Sequence, residues 1–422
     1  MHLRRSAAAL ALLALLGTGA APVALSSPSS SPAGTTPDAL YGDGDPRHDA
    51  VWRQSLVLLA QHAVDERPVP AAVDWLADQQ CADGSFRSYR PDPTTGCGDA
   101  EDADVNATAA AVQALVATGG HRTEVARSVR WLRSVQNDDG GWGYHPGDPS
   151  DANSVAVVVG ALTAAGVRPH TVRPTASSGD EQPSAYDALL AFQLGCDAPA
   201  GQRGAFAYQP EPSGRLTAND AATVAAVTAA LGQGLAAEPA AEPAATPQPP
   251  RCTGDAHQPA ARTPADAAEA GAAYLIRTLR SNDWHLRLSL PGGEETPDYG
   301  NTALAAVALA AGGHRDAARR SVAWLERHLD GWQGYRANPA ALAHLVLATD
   351  AVGGTPRDFA GTDLVARLAA LGPAPQRQTG SPDDNAQDHD EVEQAWWIVG
   401  AAVLAGVGVG ALLSYRTGRR GA

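Results

Sequence analysis

Two kinds of helical pattern alternate along the chain. The first is amphipathic. Residues 72–86 read AVDWLADQQCADGSF, residues 128–142 SVRWLRSVQNDDGGW and residues 321–332 SVAWLERHLDGW. Trp75, Trp131 and Trp324 align, each followed by Leu, an Asp-Gly turn and an aromatic (Phe86, Trp142, Trp332). Weaker copies run from Asp187 through Gln193 to Phe206 and from Tyr274 to Trp284. The second pattern is apolar all round: DVNATAAAVQALVATGG from Asp104, DANSVAVVVGALTAAG from Asp151, NDAATVAAVTAALG from Asn219 and DYGNTALAAVALAAGG from Asp298. NPAALAHLVLATD from Asn338 fits more loosely. Each opens on Asp or Asn, natural N-caps. A helix without a polar face must be buried on every side, whereas the Trp-Leu helices keep Arg, Asp and Glu for solvent. The pattern predicts an outer helix paired with an inner one, repeated at intervals of about 50 to 57 residues.

Five pairs are visible. The leftover helical segments, His48–Val64 with Trp52, Leu56 and Leu59, and Thr362–Leu371, are expected to pair as a sixth unit and close the ring. Closure removes the apolar ends that an open solenoid must cap. The expected fold is an all-α (α/α)6 toroid of about twelve helices over residues 48–371, plus a single C-terminal transmembrane helix. Three stretches lie outside the ring: a disordered arm at 25–47, a low-complexity insert at 233–266 and an acidic tether at 372–394.

The two termini set the expected compartment. Arg4 and Arg5 precede an apolar core from Ala7 to Leu16 and then small residues, the pattern of a secretory signal peptide over residues 1–24. Residues 395–415 form an apolar segment with Trp396 and Trp397 at one edge and Tyr415 at the other, long enough to span a bilayer. Arg416, Arg419 and Arg420 place the tail 416–422 in the cytoplasm and the mass of the protein outside, at the cell membrane. Four cysteines suit an oxidising compartment. Of the three possible pairings, Cys81 with Cys97 and Cys196 with Cys252 is preferred, since each pair flanks one irregular segment. The competing zinc reading lacks a CxxC or a histidine at ligand spacing, so no metal is expected. The chain carries 31 basic residues, none of them lysine, against 46 acidic ones, a net charge of −15 that argues against nucleic acid as a partner.

WLADQQCADGSF, WLRSVQNDDGGW and WLERHLDGW resemble the Gln-Trp repeats of the terpenoid cyclase and protein prenyltransferase α/α-toroid superfamily. That group includes enzymes, cobalamin carriers and complement-type thioester domains. The resemblance implies structural roles for the repeats themselves, with Gln80 and Gln136 bonding a neighbouring helix terminus beside Trp142. It also supplies chemistries to test. A proton-initiated cyclase of this kind uses DxDD, but Glu101-Asp102-Ala103-Asp104 is one carboxylate out of pattern and reads as a helix N-cap. The inner helices at 104–118, 152–165, 220–231 and 302–311 contain no aromatic to face a carbocation. Asp383–Asp388 departs from DDxxD and falls in the tether, and the Gly96-Cys97-Gly98-Asp99 string has Ala100 where a thioester needs Gln.

The outer-to-inner loops share one end of the ring with the N-termini of the inner helices. A mouth is therefore expected there, walled by Trp142, Tyr144, Phe206, Tyr208, Tyr299, Trp332 and Tyr335, with Asp151, Asn153, Asp298 and Asn301 as convergent polar groups. These are the expected ligand-binding residues; no catalytic residue and no cofactor is expected. The leading reading is a surface-anchored, non-catalytic protein that binds a bulky, partly apolar small molecule, corrinoid- or isoprenoid-like, and serves a membrane transporter. The alternatives are a terpene cyclase or prenyltransferase-like enzyme, and a structural or adhesive protein-interaction module.

Overall fold

The computed structural model describes residues 38–175, 182–252, 263–288 and 295–373. Six helices, five of them largely apolar, form a closed inner ring: α1 (Pro46–Ala63), which also carries charged and amide side chains, α3 (Val105–Thr118), α5 (Ala152–Ala164), α7 (Asp220–Ala230), α9 (Tyr299–Ala311) and α11 (Pro339–Ala351). Each packs against the next, and α11 returns to α1. Six outer helices surround them: α2 (Pro70–Asp78), α4 (Arg122–Ser134), α6 (Ala185–Ala191), α8 (Pro264–Ser281), α10 (Arg315–His328) and α12 (Leu364–Ala369). The expected toroid of twelve helices is present among the described residues. One short antiparallel ribbon, β1 (Leu286–Leu288) with β2 (Thr296–Asp298), departs from all-α character.

The ends of the ring differ from expectation in one respect. α1 does not pair with α12; it takes an inner position between α3 and α11, while α12 packs on α11. The seam is closed by backbone as well as side chains. The Gly42 N–H donates to the Leu371 carbonyl at 2.7 Å. The Tyr41 hydroxyl, which receives a 2.9 Å bond from Gln61 on α1, donates to the Pro373 carbonyl.

Local sequence explains the repeat. Asp104, Asp151, Asn219, Asp298 and Asn338 are N-caps, accepting from the N–H groups of Ala107, Ser154, Ala222, Asn301 and Ala341. Each such cap is worth about 1 kcal/mol. Four residues past the cap, Thr108, Thr223 and Thr302 each donate a hydroxyl to the cap residue's carbonyl and accept the N–H of Phe86, Phe206 or Leu286. One small side chain thus ties the incoming loop to the start of the inner helix. The Gln-Trp elements are structural as well. Gln80 bonds the Glu124 carbonyl of α4 at 2.8 Å and Gln193 the Ala267 carbonyl of α8 at 2.9 Å. Trp142 is fully buried and donates its indole N–H to Leu132 at 2.7 Å.

Both expected disulfides, Cys81–Cys97 and Cys196–Cys252, are formed. The first part of the low-complexity insert, residues 233–252, is not separate from the ring. It runs along the end of the ring where the inner helices terminate, with Ala240 and Ala244 donating N–H bonds to Ala310 and Gly313 and with Ala237 buried. No helix among the described residues is long and apolar enough to cross a membrane. The expected signal peptide at 1–24 and transmembrane segment at 395–415, with the Asp383–Asp388 string, lie outside the described residues.

Candidate functional site

The inner ring encloses a lumen of about 300 Å³. Near the inner-helix N-termini it carries a polar collar of Asn106, Asn153 and Asn301, from α3, α5 and α9. Below the collar, Val157, Val224, Leu304 and Val307 form apolar walls, and Leu235 and Gly234 close the far end. Trp52 enters from α1, the only aromatic lining the lumen among the described residues. The end helix thus supplies the lumen with an aromatic face that no other described inner helix gives it. Sequence reading missed this because buried Arg53, Gln54 and Gln61 give α1 the look of a surface segment.

The collar is not satisfied internally. The side-chain carbonyl oxygens of Asn106 and Asn153 are buried without a donor among the described residues. Asn301, in contrast, donates its amide to Asp298 at 2.7 Å. An unpaired buried carbonyl costs roughly 1–3 kcal/mol, which a ligand can recover.

α11 presents Ala340 and His344 two and six residues past its cap. α7 fills the same two positions with Ala221 and Ala225, and α9 fills the second with Leu304, all three of them lumen residues. His344 holds the corresponding place on α11, although no α11 side chain is among those that line the lumen. It also faces Gly300 of α9, where a methyl group would come within 4.0 Å of its Nδ1. Burial pushes the His344 pKa down to about 4, against the opposing pull of the Asp298 carboxylate, so the imidazole is neutral at pH 7. The lone ionisable side chain between Ala340 and Thr349 was the sequence signal for it. Near Asp298, the Asp220 carboxyl is pushed up by burial and by Asp298, while a 2.6 Å bond from the Tyr274 hydroxyl opposes the shift.

The expected rim residues separate into three groups. Asn153 and Asn301 line the lumen and Asp298 touches it through Asn301. Trp142, Phe206 and Tyr335 are fully buried in the annulus between the rings, and Asp151 is buried as the cap of α5, its carboxyl pushed up by that burial. They hold the scaffold and wall no mouth; the apolar bulk that suggested binding is spent on packing. Tyr144 and Tyr208 are exposed. Tyr144 donates to Asp104 at 2.8 Å, and burial of its phenol edge together with that carboxylate pushes its pKa up to about 12. Tyr299 and Trp332 stack on each other with ring centres 5.4 Å apart, within a cluster around Trp324, which is itself stacked between His285 and His328. Asp104 is the N-cap of α3, and its neighbour Asp102 pairs with Arg87.

Residues 51–227 match the family model of the prenyltransferase alpha-alpha toroid domain. A stretch of 130 residues, 31% of this chain, is 33% identical to drimenyl diphosphate synthase of Streptantibioticus cattleyicolor. The match spans 24% of that protein, about a quarter of its length. Among solved structures, a crystal structure of a protein from Actinoplanes aligns with 76% of this chain and 95% of its own at 15% identity, with a TM-score of 0.42.

Proposed function

We propose that the ring, part of which matches the prenyltransferase alpha-alpha toroid domain, holds an isoprenoid chain in its lumen and acts on it as a terpene cyclase-like enzyme. The observation that carries this reading is the lumen itself: apolar walls, a blind end, one indole face and amide carbonyls with no partner. A volume of about 300 Å³ lies at the lower end of the range for small-molecule pockets, and suits a slender chain better than a corrin ring. The name of the sequence relative, a synthase, favours the enzymatic alternative over a non-catalytic carrier.

The chemistry asks for a proton at one alkene, passage of positive charge along the folded chain, and loss of a proton at the end. The Trp52 face and the Asn106 and Asn153 carbonyl oxygens lie where a migrating cation needs electron-rich partners. Asp298 and the neutral His344 are the ionisable groups that face each other across the α9–α11 boundary. The reading has the Asp298 carboxyl, when protonated, give the first proton to the alkene and the neutral His344 imidazole take up the last, the proton then returning from imidazolium to carboxylate. The carboxylates of Asp220 and Asp298 disfavour a bare diphosphate at the mouth, so an uncharged or cation-neutralised head group fits best.

The test is incubation of the purified full chain with C10 to C20 isoprenoid alcohols, and with their diphosphates in Mg²⁺, followed by gas chromatography–mass spectrometry. Cyclised product is expected. Trp52→Leu should lower turnover about tenfold, the worth of one desolvated cation–π contact. Asp298→Asn, which keeps the helix cap, should abolish product while leaving binding intact. Stoichiometric binding without turnover in the unmodified protein supports the carrier reading instead, and absence of both binding and turnover overturns the isoprenoid reading.

A further inference from the structure

The blind end of the lumen is built by a segment that the repeat does not supply. After α7 the chain turns at Gly232, and Gln233 and Gly234 pass beneath the ring to deliver Leu235 into the lumen. A single buried side chain fixes it there. Gln113 of α3 accepts the Leu235 N–H at 2.7 Å through Oε1 and donates Nε2 to the Val157 carbonyl of α5 at 3.1 Å. The strap, α3 and α5 are therefore tied at one amide. The fit is close enough to demand two glycines. A methyl group on Gly234 would stand 2.2 Å from the Gln113 Oε1, and one on Gly160 of α5 would stand 2.8 Å from the Gly234 Cα. Beyond Leu235 the strap is held to the α9–α10 turn by Ala240, Ala244 and Arg315, and its far end is crosslinked through Cys252 to Cys196.

We propose that this strap is a fixed floor and that Leu235 sets the length of chain the lumen accepts. The inference rests on reading the lumen as the binding chamber, and adds which residue determines specificity within it. A strap anchored at the Gln113 amide, along the α9–α10 turn and at a disulfide does not yield to a longer ligand, so depth is set by the one side chain it projects inward. Leu235→Ala withdraws three carbons from the floor, whereas Leu235→Trp fills the lower lumen.

The experiment measures binding of straight-chain n-alkanols from C6 to C18 to the full chain by calorimetry, beside isoprenoid alcohols from C10 to C20. Straight chains report depth whether or not isoprenoids are the natural ligand. In the unmodified protein, affinity should rise with each methylene and then stop at a cut-off. Leu235→Ala should move the cut-off up by roughly two methylenes, with about a tenfold gain for the first chain beyond the old limit. Leu235→Trp should move it down, and circular dichroism should show both variants folded. An opposite pair of shifts in folded proteins excludes a general loosening of the ring. A cut-off unmoved by either substitution, or no alkanol binding at all, overturns the floor. Cut-offs that move while no isoprenoid binds leave the floor standing and remove the isoprenoid reading.

Discussion

At His344 the ring holds an imidazole in surroundings that oppose its charge, and stability must depend on pH accordingly. Its folded-state pKa of about 4 lies below the ordinary value of 6.5, so the unfolded chain binds the proton more readily between those limits. The contribution is fully present above about pH 6.5 and is lost as pH falls toward 4. His285 and His314, also lowered by burial, act in the same direction. Comparing melting temperatures of the unmodified protein and His344→Phe from pH 7 to pH 4 isolates the one residue; the variant should show the shallower fall. A single sequence marks such a histidine as an oddity in an apolar helix. It does not say whether the ring faces outward to a neighbouring helix or inward to the lumen, because both surroundings are apolar. The same ambiguity explains Trp142, Phe206 and Tyr335, large side chains near the mouth end that are absorbed by the annulus.

In three of the repeats, those of α3, α7 and α9, the threonine four residues past the cap joins loop to helix. At Thr223 the hydroxyl receives the Phe206 N–H at 2.9 Å and donates to the Asn219 carbonyl at 2.7 Å. Thr223→Val keeps the shape and strands a buried N–H, so unfolding in urea should show a loss of about 1–3 kcal/mol. α5 has Val155 at that position, and there the loop is held by Asp151, whose N–H donates to Trp142 at 3.0 Å. At this scale much was legible in the sequence. Asp and Asn caps marked where inner helices begin, and the lack of charge marked them as inner. What the pattern did not carry was membership at the ends: α1 buries Arg53, Gln54 and Gln61, whose partners lie outside the helix itself or along its own turn. Gln54 alone reaches Ala39 and Ala72 at 3.0 Å each and accepts from Tyr41 at 3.1 Å. Polar residues satisfied by distant backbone look, in sequence, like residues facing water.

At the largest scale, the described residues form a ring with a strap across one end. The strap's composition, rich in Ala, Pro and Glu, reads as a linker, and it is ordered only because the ring offers it carbonyls and a disulfide. Closing a 56-residue separation, the Cys196–Cys252 bond is worth about 4 kcal/mol by the loop-entropy argument. Replacing both cysteines with alanine should lower the denaturation midpoint and raise hydrogen exchange at Ala240 and Ala244. A drop in midpoint without faster exchange at those amides would separate the crosslink from the strap it anchors.

The seam at Gly42 and Leu371 has a consequence in time. Every other inner-ring contact joins helices closer in sequence, whereas α11 meets α1 only after residues 64–338 have been threaded between them. Contacts of such long separation form slowly. Refolding should therefore pass through a horseshoe in which neighbouring repeats are assembled and two apolar helix flanks still face water. That open intermediate is the species most prone to associate with its own kind, so refolding yield should fall with protein concentration while the folded ring stays monodisperse.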